Sequence, residues 1–92
     1  MKFKMGTLCM TKGIGARMHK DEDFSKFVIN SYLRYSKCDW GDLCKEDKKM
    51  NDSAVKNNDD RIVARYNYKD DNIYIITEWD RSATTILFTS EY

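Results

Sequence analysis

The sequence predicts an α+β domain in which a short N-terminal strand and two helices are followed by a three-stranded antiparallel meander. Three observations lead there. Apolar residues recur with helical period between Phe24 and Tyr35. From Arg61 onward the chain falls into runs of β-branched and aromatic residues. Those runs are separated by short polar connectors, which join antiparallel neighbours rather than parallel ones. With 92 residues there is room for one domain, spanning 1–92. A composition of 41% hydrophobic and 13% aromatic residues excludes a disordered chain.

Each element has its own warrant. Met5-Gly6-Thr7-Leu8-Cys9-Met10-Thr11 tolerates β structure and is bounded by Lys12-Gly13-Ile14-Gly15, so a strand ending in a glycine turn is expected. Phe24, Phe27, Val28, Tyr32 and Tyr35 form one face of an amphipathic helix starting near Asp21. Asp21, Glu22 and Asp23 suit its positive N-terminus, and Arg34 and Lys37 its negative end. A second helix is expected from Leu43 to about Asn57, capped by Asp39 or Asp42. Its apolar stripe of Leu43, Met50 and Ala54 is thin, which places it at the surface. The strands read as Arg61–Tyr68, Asn72–Trp79 and Thr84–Thr89. In the middle strand Ile73, Ile75 and Trp79 project to one face and Tyr74 and Ile76 to the other, so both faces are apolar. One face receives the first helix; the other calls for the opening segment, a partner chain or a second copy, so a homodimer is one expectation.

Composition limits the chemistry. A chain this short buries only roughly 60% of its unfolded surface, which leaves little room for an enclosed active-site cavity. No run approaches the roughly 18 apolar residues of a membrane span, and no apolar stretch follows the first lysines, so a cytoplasmic protein without membrane contact is expected. Cys9, Cys38 and Cys44 are an odd set without disulfide-scaffold spacing, and reduced thiols are expected. Neither these cysteines nor the single histidine, His19, has zinc-site spacing, so no metal or cofactor is expected. Gly13 and Gly15 lack the third glycine and the Lys-Ser/Thr pair of a phosphate loop. Glu78 and Asp80 flank Trp79 and, in a strand, share a side; pairing with Arg81 or Arg65 is their more ordinary role. Catalytic residues are therefore not expected. Residues 1–20 carry Lys2, Lys4, Lys12, Arg17 and Lys20 and no acid, a spread-out basic segment that makes a nucleic-acid-binding module the alternative reading.

Two segments are denser than a core requires: Asp39-Trp40-Gly41-Asp42-Leu43, and Thr77-Glu78-Trp79-Asp80-Arg81-Ser82-Ala83-Thr84-Thr85. Trp, Tyr and Arg are the residues enriched at binding hot spots, and they recur here. The same two segments, with Glu46-Asp47-Lys48, Asn51, Ile75-Ile76, Leu87-Phe88, the closing Glu91-Tyr92, and Phe24, Phe27 and Val28, carry a resemblance. The chain resembles a family of small proteins encoded on bacterial plasmids, prophages and integrative elements. Members often carry a label linking them to the methylation subunit of type I restriction enzymes. This chain lacks the glycine-rich cofactor loop and, having no proline, the Asn/Asp-Pro-Pro-aromatic motif of such a methyltransferase. It departs from the family pattern at Cys38, where glycine is usual, at Trp79, where a small residue is usual, and at Thr89, where proline is usual. Residence on mobile elements implies work against host defence. The resulting expectation is a non-enzymatic phage or plasmid protein that inhibits a CRISPR effector or restriction enzyme subunit in the bacterial cytoplasm. Its partner-binding residues are expected to be Trp40, Asp42, Tyr74, Glu78, Trp79, Asp80, Arg81 and Tyr92.

Overall fold

The computed structural model describes residues 2–92. It is α+β, as the sequence predicts, with one helix and one strand pairing more than expected. In chain order the elements are β1 (Thr7–Met10), α1 (Lys12–Lys20), α2 (Glu22–Ser36), α3 (Lys45–Asn57), β2 (Ile62–Tyr66), β3 (Ile73–Thr77) and β4 (Ala83–Phe88), closed by a 3-10 turn at Thr89–Glu91. The meander forms as expected, with Ala64 opposite Ile75 and Ile75 opposite Ile86 in antiparallel register. The opening segment extends it: β1 lies beside β4, parallel to it with Leu8 opposite Thr84, giving a four-stranded mixed sheet in the order β1-β4-β3-β2.

The glycine turn expected after β1 is instead helix α1. Thr11 caps it, its hydroxyl accepting from the Ile14 N–H at 3.2 Å, and Ile14 is fully buried. Gly13 lies inside the helix, in no turn, and brings it close to the Glu91 side chain. A Cβ there would sit 2.8 Å from a carboxylate oxygen of Glu91.

Helix α2 begins where its acidic start indicates, with the Asp21 carboxylate accepting from the Phe24 N–H at 3.1 Å. Phe24, Val28 and Tyr35 are buried against Ile62, Ala64, Tyr66, Ile73, Ile75 and Ile86 from the inner face of the sheet. Helix α3 starts at Lys45, two residues later than expected, and neither Asp39 nor Asp42 caps it. Asp39 instead takes two hydrogen bonds from the Arg34 guanidinium, at 2.8 and 3.2 Å. Asp42 is drawn to the sheet edge, accepting from the Asn67 N–H at 2.9 Å.

A buried hydroxyl chain ties the layers together. Tyr35 Oη lies 2.7 Å from Thr77 Oγ1, Thr77 Oγ1 lies 2.7 Å from Thr84 Oγ1, and Thr84 donates to the Met5 carbonyl at 2.7 Å. A carbonyl can only accept, so with Thr84 donating to Met5, Thr77 donates to Thr84 and Tyr35 to Thr77, the 2.7 Å partner, in preference to the Ile62 carbonyl at 3.4 Å. Burial pushes the Tyr35 hydroxyl pKa up, which keeps it a donor. No helix among the described residues is long and apolar enough to cross a membrane.

Candidate protein-binding surface

The turn between β3 and β4 is built around a buried arginine. Arg81 is only 4% exposed and has a left-handed backbone, with φ of 61°. Its Nη1 donates to the carbonyls of Asp60 at 2.6 Å and of Glu78 and Trp79 at 3.2 Å each. Its Nη2 donates to the carbonyls of Ala54 and Asp59, both at 2.9 Å. The guanidinium thus answers five backbone acceptors from the end of α3, the loop after it and the turn itself. Asp80 supports the same turn, and hydrogen bonds from Ser82 hold its carboxyl below the usual range. Glu78 and Asp80 are exposed and belong to this turn, so they do not share one side of a strand as expected, and neither pairs with Arg81 or Arg65 among the described ion pairs.

On this scaffold Trp79 is 68% exposed. It has left the strand, which ends at Thr77, so it does not share a sheet face with Ile73 and Ile75 as expected: the two isoleucines are buried and the indole is in solvent. Trp40 is the reverse case. It is 3% exposed, stacks edge-on to Tyr35 with centroids 5.4 Å apart, and donates from Nε1 to Asp52 at 2.9 Å. Trp40 and Arg81 are therefore interior residues and cannot act as surface anchors, contrary to expectation. Asp42 is exposed but committed to the β2 edge, where its N–H donates to the Arg65 carbonyl at 2.7 Å.

The outer face of the sheet is partly roofed by the chain's own end. Tyr92 folds back onto Tyr74, rings edge-on at 5.5 Å, and the Arg61 guanidinium lies 5.7 Å from the Tyr92 ring centre. Beside them, Leu43 and Met50 on the α3 side and Val63 on β2 line an open groove of about 320 Å³, with Asp47 and Asp60 at its polar rim. Tyr74 lies within β3, and Trp79 lies in the turn two residues past its end. Arg61 precedes Ile62, which pairs with Thr77 at the turn end of the sheet, so it bridges turn and groove. The structure thus brings Tyr74 and Tyr92 together and places Trp79, Glu78 and Asp80 at the adjoining turn. Sequence reasoning missed Arg61 as the arginine of this surface; its position directly before a strand on the outer face was the available signal.

No protein-family model, curated protein or solved structure matches this chain.

Other candidate chemistry is dispersed. His19 is exposed near the end of α1, and the described residues include no group of three or more His, Cys, Asp or Glu side chains able to hold a metal ion. Cys9, Cys38 and Cys44 are free thiols, and burial pushes that of Cys38 up. Cys38 has φ of 65°, the left-handed region in which a glycine is favoured. Among the basic residues, Arg17 is engaged with Asp21 at 3.2 Å and Asp71 at 2.9 Å, while Lys12 and Lys20 stand at opposite ends of α1. Lys2, Lys4, Lys12, Arg17 and Lys20 do not line one helix or groove.

Proposed function

We propose that this chain is a non-enzymatic binding protein of a bacterial mobile element that inhibits a host defence protein, a CRISPR effector or restriction enzyme subunit, by docking on it in the cytoplasm. The observation that carries the binding part is an exposed tryptophan on a turn held rigid from beneath by Arg81. An exposed indole on a flexible loop loses conformational entropy when it binds. One presented by a fixed backbone loses little, and its apolar area is then available as affinity. Tyr74, Tyr92 and Arg61 extend the anchor set toward the groove, and Glu78 and Asp80 supply a charged rim. The defence target rests on the resemblance to mobile-element proteins, whose small size suits steric occlusion of a larger machine.

The test is an affinity capture of the tagged protein from lysate of a bacterium with restriction and CRISPR systems, at moderate salt after nuclease treatment, followed by a DNA-cleavage assay on what is captured. The expected result is one stoichiometric nuclease or restriction subunit whose cleavage falls when the protein is added, and which Trp79→Ala fails to capture. Capture seen without nuclease but lost after it, and weakening steeply with salt as phosphate contacts do, would move the reading to a nucleic-acid module instead.

A further inference from the structure

We propose that the outer edge of β1 is a second docking site, which takes an extended acidic segment of a partner protein as a fifth strand. Thr7, at the start of β1, donates inward to the Ser82 carbonyl at 3.0 Å, and Thr11, just past its end, donates to the Ile86 carbonyl at 3.1 Å. Backbone groups alternate in direction along a strand, so the N–H and C=O groups of the intervening Leu8 and Met10 point away from β4. Their side chains are 45% and 43% exposed, and all of β1 is open to solvent. An unpaired row of donors and acceptors beside apolar side chains is a template for strand addition.

The other edge of the sheet is closed. The Asn51 side-chain amide both donates to the Val63 carbonyl, at 3.0 Å, and accepts from its N–H, at 3.4 Å, imitating a neighbouring strand on β2. The backbone of Gly41 and Asp42 covers the next position, Arg65. Gly41 has φ of 72°, and a Cβ there would collide with the Arg65 carbonyl, so only glycine allows this approach. One edge is thus capped by the chain itself while the other is left bare.

Charge selects the occupant. Exposed Lys4 and Lys12 flank the strand, and the first twenty residues contain no acid. Glu91, which reaches this end of the sheet, is held by Thr11 Oγ1 at 2.9 Å and the Phe88 N–H at 2.7 Å. A second copy added edge to edge would bring two lysine-flanked strands together, the arrangement by which natural sheet edges avoid self-pairing. The complementary occupant has carboxylates toward its ends and apolar side chains at alternate positions to meet Leu8 and Met10. The inference does not depend on the Trp79 surface.

The experiment uses the full chain and a short fluorescein-labelled peptide of alternating valine and glutamate, with lysine replacing glutamate in the control. Anisotropy should show saturable binding of the acidic peptide and binding about tenfold weaker or less for the basic one. Leu8→Pro removes an outward donor without removing an inward one. It should weaken binding about tenfold, the equivalent of roughly 1.4 kcal/mol, with the melting curve unchanged. In the unaltered protein the Leu8 and Met10 amides should exchange more slowly when the acidic peptide is present. That measurement decides the matter should Leu8→Pro fail to fold. Equal binding of the two peptides, unchanged exchange at Leu8 and Met10, or no binding at millimolar peptide would overturn the proposal. So would a dimer in sedimentation that the peptide does not dissociate, which would give the edge to a second copy.

Discussion

The Nη2 of Arg81 donates to the carbonyl of Ala54 at 2.9 Å, joining a hairpin turn to the end of a helix. Ala54 lies in the last turn of α3, at the negative end of the helix dipole, so its carbonyl, which also accepts from the Asn58 and Asp59 N–H groups, is a favourable seat for a guanidinium. The same side chain holds Asp59, Asp60, Glu78 and Trp79 through their carbonyls. Arg81→Met keeps the apolar stem and removes every one of these donors. It should destabilise the protein by roughly 2–4 kcal/mol, because five charge-assisted hydrogen bonds are lost and only the Ala54 and Glu78 carbonyls keep a backbone donor. At about 4–8 °C per kcal/mol for a domain of this size, a thermal melt reads the effect directly. A melting temperature within a degree or two of wild type would show that water replaces the guanidinium without loss.

Trp79→Ala makes the opposite prediction from its near neighbour. The indole is exposed and no hydrogen bond to its side chain holds the turn, so the stability should stay within about 0.5 kcal/mol of wild type. Partner affinity should fall by about 2 kcal/mol or more, roughly thirtyfold, as for a central aromatic anchor. Isothermal titration with the captured target, alongside a melt, separates the two quantities. Loss of stability together with affinity would place the indole in the fold instead.

The hydroxyl chain makes its own ordering of effects. Thr84 sits in its middle, so Thr84→Val strands both the Met5 carbonyl and the Thr77 hydroxyl and should cost roughly 2–3 kcal/mol. Tyr35 sits at the donor end, and Tyr35→Phe leaves the downstream bonds intact, so about 1 kcal/mol is expected. Chemical denaturation of the two variants tests the order. Equal costs would mean that the chain is not read in the direction the Met5 carbonyl imposes.

How far the sequence disclosed this structure depends on whether the decisive contact is local. The face of α2 and the alternation in β2, β3 and β4 were legible, because helical and strand periods are written in neighbouring residues. The place of β1 was not, since its partner Thr84 is far along the chain and a parallel neighbour leaves no turn signal. Helix α1 was hidden by Gly13 and Gly15, read as punctuation although Ile14 and Met18, four apart, carried the helical signal. In the candidate site, Trp79, Tyr74 and Tyr92 were legible as aromatics, but Arg81 was misread as a surface residue. Its partners are carbonyls, which every residue has, so no complementary acid marked it as buried.

The two phenylalanines of α2 allow the helix face to be tested more finely than the stripe alone suggests. Phe24 is fully buried, stacked on Phe88 at 5.5 Å and edge-on to Tyr68 at 5.7 Å, whereas Phe27 is only partly buried and packs on Tyr68 at 4.7 Å. Phe24→Ala should therefore cost about 3–5 kcal/mol, the ordinary range for truncating a buried ring. Phe27→Ala should cost clearly less, since part of its surface already meets water. Denaturant midpoints for both variants decide it, and the reverse order would rotate the helix by one position.

Acid should unfold the protein through two aspartates, Asp21 at the α2 N-cap and Asp39 beside Arg34. The backbone N–H of Phe24, then the Arg17 side chain, hold the Asp21 carboxyl below its usual range; the Arg34 guanidinium, then the Gly41 N–H, do the same for Asp39. A carboxyl whose pKa is lower folded than unfolded makes the unfolded chain the greater proton binder as pH falls. Its stabilising contribution is complete above the ordinary carboxylate pKa, near ~4, and is lost as pH drops through the lower folded values. Melting temperature should hence be level from neutral pH down to about 5 and fall steeply below ~4. Asp21→Asn keeps a side-chain acceptor at the N-cap but removes the titrating charge, so it should lower stability at neutral pH and flatten the acid limb. Melts of wild type and this variant across the acid range make the comparison. An acid limb of unchanged steepness in Asp21→Asn would assign the loss to other carboxylates.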